Sequence, residues 1–184
     1  MTEIAERFRN VAGGFTRRVL AVAPEAWSQP SPCDGWDARD VVRHLIEWVP
    51  PFLRSGSDVD LPAGPSADVN PIEAWRVFAA GVQAVLDDPA QAGAVFAHER
   101  AGTHRLEDAI AMFVLGDVLI HTWDLARAAG LDETLDPDEV AGMLPGMEGM
   151  GDALVASGHY APATPVAGDA DPQTRLLALT GRRP

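Results

Sequence analysis

One carboxylate lies in the middle of the most apolar segment of this 184-residue chain. Asp117 is flanked by the apolar residues 110–116 and 118–120, and the whole stretch fits a helix over residues 106–129. Because a helix that is apolar on all sides is usually buried, Asp117 is predicted to be buried with it. Burying an isolated carboxylate is costly unless a cation or hydrogen-bond donors meet it. The fold must therefore supply a partner for Asp117.

The nearest partner in the sequence is His121, four residues further along the same helix. This spacing corresponds to about 40° of rotation and about 6 Å of rise, so the two side chains point the same way. His44 supplies a third donor, since it lies on the apolar side of another predicted helix, beside Val41 and Leu45. The three residues could hold a metal ion, and the plain alternative is a buried ion pair between Asp117 and His121.

Two imidazoles and one carboxylate leave coordination positions free for water or substrate, as catalytic metal sites do. The predicted ligands of one divalent metal ion are therefore His44, Asp117 and His121. Zinc is the first choice for this ligand set, and nickel, iron(II) and manganese are also compatible with it.

The rest of the chain reads as helices separated by connections rich in proline and glycine. With four principal helices and no assigned strand, the pattern predicts an all-α bundle in a single domain, residues 1–184. Residues 55–70 are predicted to be a surface loop, and residues 94–103 are ambiguous, with an extended stretch around Val95 and Phe96. The helices are predicted over residues 2–22, from the N-cap Asp37 to about Pro50 and Pro51 or just past them, 71–87, 106–129, 136–156 with an interruption or kink at Pro145 and the four glycines between Gly142 and Gly151, and 172–180.

Charge and composition limit the classes of partner. The net charge is −13, from 27 acidic and 14 basic residues, so nucleic acid and anionic membranes would be repelled. The sequence shows neither an export signal nor an uncharged apolar run of about 18 residues, which predicts a cytoplasmic protein. The one cysteine, Cys33, has no partner for an internal disulfide. A homodimer formed through an apolar helix face remains open.

Three segments together resemble a known family. They are residues 31–36 (SPCDGW), 41–45 (VVRHL) and 117–128 (DVLIHTWDLARA). They resemble the DinB-like superfamily, and more narrowly the metal-binding domain of mycothiol-dependent maleylpyruvate isomerase and its small actinobacterial relatives. The resemblance extends over nearly the whole chain. It implies a four-helix up-down-down-up bundle, with additional short C-terminal helices in this chain.

In that family a histidine on the second helix and an acid-x-x-x-His pair on a later helix hold the metal, and these positions correspond to His44, Asp117 and His121. The resemblance also implies chemistry, because enzymes of the family use the metal to activate a low-molecular-weight thiol, mycothiol or bacillithiol. The implied partners are such a thiol and an electrophile that the sequence does not identify.

Two differences from the isomerase limit this inference. The isomerase has a glutamate where this chain has Asp117, and it carries a further C-terminal domain where this chain has a short tail. The implied function is therefore a thiol-dependent transferase or isomerase-like enzyme, and maleylpyruvate isomerisation itself is not expected. The alternative is a non-catalytic bundle that binds a metal or a small molecule.

The sequence assigns no role to six further residues. They are three histidines in irregular segments, and three residues near the ligands in sequence that could line the pocket, although tryptophans at helical spacing are more often core residues: His98, His104, His159, Trp48, Trp123 and Arg127. For Arg127 the plain expectation is an ion pair with Asp124 or Asp132. Cys33 precedes the second predicted helix and could be either a reactive thiol or a packed side chain.

Overall fold

Helices dominate the computed structural model, which describes residues 2–184 and confirms the predicted all-α, DinB-like class. Within that range lie eight helices and one small antiparallel hairpin, and a 3-10 turn at Pro24–Ser28. The helices are α1 (Glu3–Ala21), α2 (Ala38–Gly56), α3 (Pro71–Asp87), α4 (Pro89–Ala92), α5 (Leu106–Ala129), α6 (Pro137–Met150), α7 (Ala153–Ala156) and α8 (Pro172–Leu179); the strands are β1 (Val95–His98) and β2 (Gly102–Arg105).

The four long helices form a bundle in which α1 and α2 each pack against both α3 and α5. Side-chain contacts give their directions. Gln83 near the end of α3 donates to the backbone oxygen of Ala5 near the start of α1, so these two helices are antiparallel. Arg18 near the end of α1 reaches Asp132, just beyond the end of α5, so α1 and α5 run the same way.

Helix α2 runs antiparallel to α5, because Phe52 late in α2 contacts Phe113 early in α5 while Trp36, just before α2, contacts His121 late in α5. Consequently α2 and α3 are parallel, and the topology is up-down-down-up. Parallel neighbours need a connection that returns along the bundle, and residues 57–70 provide it. This explains the long proline- and glycine-rich segment between the two helices.

Helix α2 begins as predicted and ends later than predicted. Asp37 and Asp40 form the capping box at its start. Pro50 and Pro51 lie inside the helix, which continues to Gly56, so the first two residues of the predicted loop are helical. Packing holds this last turn, because the ring of Phe96 lies so close that a Cβ on Gly56 would be 2.4 Å from it.

The hairpin of β1 and β2 is a structural element that the sequence analysis did not assign. Phe96 in β1 is fully buried and pairs with His104 in β2. The ring nitrogen Nδ1 of His98 accepts hydrogen bonds from the backbone N–H groups of Arg100 and Ala101, at 3.2 and 3.1 Å. His104 Nε2 lies 2.6 Å from the backbone oxygen of Ala101. Both histidines therefore serve the hairpin and lie outside the predicted metal site.

The C-terminal region contains the interrupted helix and the last short helix that the sequence predicted. Helix α6 continues through Pro145 and ends at Met150. The next residue, Gly151, has a φ of +50°, which is not a helical conformation. Helix α8 then packs on α6 through Leu176 and Leu177, both fully buried. Of the residues predicted to interrupt or kink the segment, Gly151 is therefore the one at which the helix ends, and Pro145 lies within it.

Helix α5 is the one helix within residues 2–184 that is long and apolar enough to cross a membrane. In the structure 78% of its most apolar window is buried among the other helices. Core packing therefore accounts for its composition. A π-helical turn, Ile110–Leu115, precedes Gly116 and Asp117 and was not predicted; such turns are frequent at functional sites.

Candidate metal site

The structure brings the three predicted ligands together between α2 and α5. His44 Nε2 lies 3.2 Å from Asp117 Oδ2, and His121 Nε2 lies 3.4 Å from Asp117 Oδ1. One ligand atom of each residue lies within 4.8 Å of those of the other two. Donors bound at roughly 2.0–2.2 Å from a tetrahedral ion are separated by about 3.4 Å, so this spacing fits a single metal ion.

The site is open on one side and closed on the other. The exposed fractions of the side chains fall from 30% for His44 to 17% for Asp117 and 6% for His121. Trp36 lies against both imidazoles, with ring centroids 4.9 Å from His44 and 5.7 Å from His121. Trp48 donates its indole N–H to Asp117 Oδ2 at 2.9 Å. The two tryptophans therefore line the site, and His44 faces its accessible side.

A second carboxylate accepts a hydrogen bond from the other ring nitrogen of His121, the one that does not face Asp117. His121 Nδ1 donates to Asp124 Oδ2 at 2.8 Å, and Asp124 is fully buried. Arg182 from the C-terminal tail donates to both oxygens of Asp124, at 3.1 Å from Nε and 2.6 Å from Nη2. An imidazole ligand commonly donates its second N–H to a carboxylate in this way, which leaves the other nitrogen free to face the metal.

Comparison with known proteins assigns the chain to a family. Residues 8–126 match the sequence profile of the family described as the mycothiol maleylpyruvate isomerase N-terminal domain. The chain belongs to this family. The matched segment contains the three predicted metal ligands and Asp124, whereas Arg182 lies beyond it.

Two relatives come from Mycobacterium tuberculosis, Rv0738 and MT0763, and each is described only as an uncharacterized protein. Each is 27% identical over 179 residues, covering 91% of this chain and 91% of the relative. No solved structure gives a significant match. Membership of the mycothiol maleylpyruvate isomerase N-terminal domain family therefore indicates a mycothiol-related, metal-binding domain and leaves its substrate open.

Within this family member a second group of metal-binding residue types adjoins the first. It consists of Cys33, His121 and Asp124. The thiol of Cys33 donates to Asp124 Oδ2 at 3.4 Å, and Arg182 Nη2 lies 3.6 Å from the sulfur. Because the guanidinium already brings a positive charge to this group, we interpret the group as an ion-paired cluster behind the metal site. Cys33 thus contacts Asp124, the carboxylate that accepts from His121 Nδ1.

Sequence analysis missed Asp124 and Arg182, which form an outer layer around the predicted metal ligands. Asp124 could have been found, because it is a second carboxylate in the apolar helix, three residues beyond His121. Arg182 has no such signal, since nothing in the pattern links it to Asp124. The expectation for Arg127 was wrong: it pairs with Glu133 at 2.6 and 2.7 Å and lies 4.4 Å from the ring centroid of Trp123.

The charges of the cluster shift its pKa values strongly. Burial opposes a charge on His121, but the charge of Asp117 and the hydrogen bond to Asp124 outweigh it and raise the pKa of His121 to about 10. Burial likewise opposes ionisation of Asp124, yet His121 and Arg182 lower its pKa to about 2. The pKa of Asp117 lies below its ordinary value, since His121 and His44 overcome the effect of its burial. Without a metal ion, His121 is therefore an imidazolium between two carboxylates.

This pairing predicts that the metal-free protein loses stability as the pH rises. The pKa of His121 is about 10 in the folded chain against 6.5 ordinarily, so its stabilisation is complete below about pH 6.5 and disappears by about pH 10. Urea unfolding of chelator-treated protein across this range should show a falling free energy of unfolding. The His121→Gln variant should show a flatter profile, and equal pH dependence in both proteins would contradict the assignment.

Proposed function

We propose that this protein binds one divalent metal ion through His44, Asp117 and His121 and uses it to engage a low-molecular-weight thiol of the mycothiol type. The thiol would then react with an electrophilic small molecule in a transferase or isomerase-like reaction. The observation that carries the proposal is the convergence of donors from α2 and α5, at 3.2 and 3.4 Å, in a chain of this family.

The chemistry of the three donors favours an anionic fourth ligand. Two neutral imidazoles and one carboxylate leave a divalent ion with one net positive charge, which a thiolate would neutralise. Zinc is our first choice, and nickel, iron(II) and manganese fit the same donors. When bound, such an ion lowers the pKa of a coordinated thiol, so that the thiol is deprotonated near neutral pH.

The surrounding residues would prepare the site for this role. Asp124 holds the His121 ring by its Nδ1–H, so that Nε2 faces Asp117. Trp48 donates to one oxygen of Asp117, and Trp36 stacks on the imidazole of His121 and contacts that of His44. The more exposed edge of His44 is where a thiol would enter.

The proposed cellular setting follows from charge and chemistry. A net charge of −13 disfavours nucleic acid and anionic lipid as partners. Thiols are kept reduced in the cytoplasm, and we therefore place a thiol-dependent activity there.

A non-catalytic metal-binding bundle is the second candidate function. The observation in its favour is that the donors already satisfy one another: Asp117 contacts His44, His121 and Trp48 within 3.4 Å. A site of this kind could hold an ion for stability alone and exchange no ligand.

Thiol binding to the cobalt(II)-substituted protein separates the two functions. We expect mycothiol to add a thiolate-to-cobalt charge-transfer band that saturates at one thiol per chain. S-methyl mycothiol, which cannot form a thiolate, is the control and should leave the spectrum unchanged. A protein that binds one cobalt ion but shows no spectral response to mycothiol would contradict the thiol-dependent function and favour the second candidate.

A further inference from the structure

We propose that Arg182, in the C-terminal tail, is a positioning residue of the metal site and acts through Asp124 on His121. The inference rests on the proposed site of His44, Asp117 and His121 and extends it to a part of the chain outside the family match. It is carried by one continuous chain of contacts. Arg182 grips both oxygens of Asp124 at 3.1 and 2.6 Å, and Asp124 accepts from His121 Nδ1 at 2.8 Å.

Backbone contacts of the C-terminal tail position the Arg182 guanidinium against the bundle. Gly181 turns the chain with a φ of +84°, and a Cβ at this position would lie 2.5 Å from the Cβ of Ala161. The backbone N–H of Arg182 donates to the oxygen of Leu177 at 3.1 Å, and its own carbonyl accepts from the Thr164 hydroxyl. The Arg182 side chain is consequently 11% exposed although only Arg183 and Pro184 follow it in the sequence.

Two donors on one carboxylate fix its orientation in a way that one donor cannot. Asp124 is fully buried, so no water competes for its oxygens. With both oxygens held by Arg182, the carboxylate has one orientation toward His121, and the imidazole is held with Nε2 toward Asp117. Without the two parallel hydrogen bonds from the planar guanidinium fork of Arg182, the Asp124 carboxylate could rotate. The His121 imidazole would then be held less firmly.

Electrostatics and positioning predict opposite changes in metal affinity when Arg182 is replaced, which makes the inference testable. Arg182 is a cation near a cation site, so neutralising it would strengthen metal binding if long-range electrostatics dominated. Positioning predicts weaker binding, because loss of a partner that orients a ligand typically lowers metal affinity about 10–100-fold. Lysine would keep the charge and lose the planar fork, and it should therefore also bind the metal less tightly.

The experiment measures zinc affinity by chelator competition in the full-length chain. Arg182→Gln and Arg182→Lys should each weaken binding about 10-fold. The control is Arg183→Gln, the same change of charge at the exposed neighbouring position, which should bind as the natural sequence does. Circular dichroism checks folding, and the cobalt(II) ligand-field spectrum reports whether the coordination geometry changes in the two Arg182 variants, as positioning requires.

The outcomes separate this inference from the proposed function. Unchanged or tighter zinc binding by Arg182→Gln would overturn the positioning role and leave the metal site standing. A natural sequence that binds no zinc would contradict the proposed function and this inference together. If Arg182→Gln fails to fold, Arg182→Lys decides, since it keeps the charge that neutralises Asp124; unchanged affinity and spectrum in that variant would overturn the role.

Discussion

We expect the natural sequence to purify with about one equivalent of metal ion per chain and the His44→Ala variant to purify without it. Asp117 and His121 would remain, but both come from α5, and two protein donors rarely hold a divalent ion. The loss of affinity should exceed the roughly 100-fold upper range for losing a partner outside the ligand set. Because 30% of the His44 side chain is exposed, its removal should leave the bundle folded. Elemental analysis of purified protein measures the result.

Two further variants make this measurement specific. His121→Ala should also lose the metal, since it removes a donor from the other helix. His159→Ala is the matched control, because this histidine is exposed, and it should keep the metal. Metal that survives in both His44→Ala and His121→Ala, or its absence from the natural sequence, would end the hypothesis of a shared site.

The predicted ligands could be inferred from sequence because their arrangement is mostly local. Asp117 and His121 are one helical turn apart in an apolar segment, and helix geometry alone places them on one face. That His44 lies on the inward side of α2 could be inferred from the apolar residues beside it in the sequence. The sequence pattern did not give the distance between α2 and α5, so the pairing of His44 with the other two ligands was one hypothesis among others until the family resemblance supported it.

The outer layer of the site could not be inferred in the same way. Arg182 follows a positive-φ glycine at the end of a short helix, and 58 residues separate it from Asp124. Which carboxylate an arginine meets over such a separation depends on how the tail packs, and periodicity contains no information about that. The error for Arg127 has the same origin: Asp124 and Asp132 were the two expected partners, but the turn after α5 brings Glu133 to this guanidinium.

The principal helices were predictable because each carries a long apolar stripe and a recognisable end. The Asp37 capping box and the left-handed Gly130 after α5 are examples. The hairpin had neither signal. Its strands have four residues each, and in β1 only Phe96 is buried, so no alternation develops. The extension of α2 past its prolines depends on Phe96 packing against Gly56, a contact between distant parts of the chain.

The largest effect on stability is expected from Trp75→Ala, which should lower the free energy of unfolding by about 3–5 kcal/mol. Trp75 is 1% exposed, and its ring lies between Phe15 and Phe78 with centroid distances of 4.3 and 5.5 Å. Its indole N–H donates to Thr16 Oγ1 at 2.8 Å. Removing the ring leaves a large cavity between α1 and α3. Urea unfolding of the metal-free protein measures the change without a contribution from metal binding.

Thr16→Val separates the hydrogen bond from the packing around Trp75. The substitution keeps the ring and removes its acceptor, and it should cost about 1–3 kcal/mol, the penalty of leaving one buried donor unsatisfied. Neither variant should change the metal affinity of the folded protein, because neither α1 nor α3 supplies a donor to the site. His44→Ala should behave in the opposite way, losing the metal while the metal-free bundle keeps its stability. If folded Trp75→Ala also lost the metal, the site would depend on bundle packing as a whole, and the assignment to three side chains would fail.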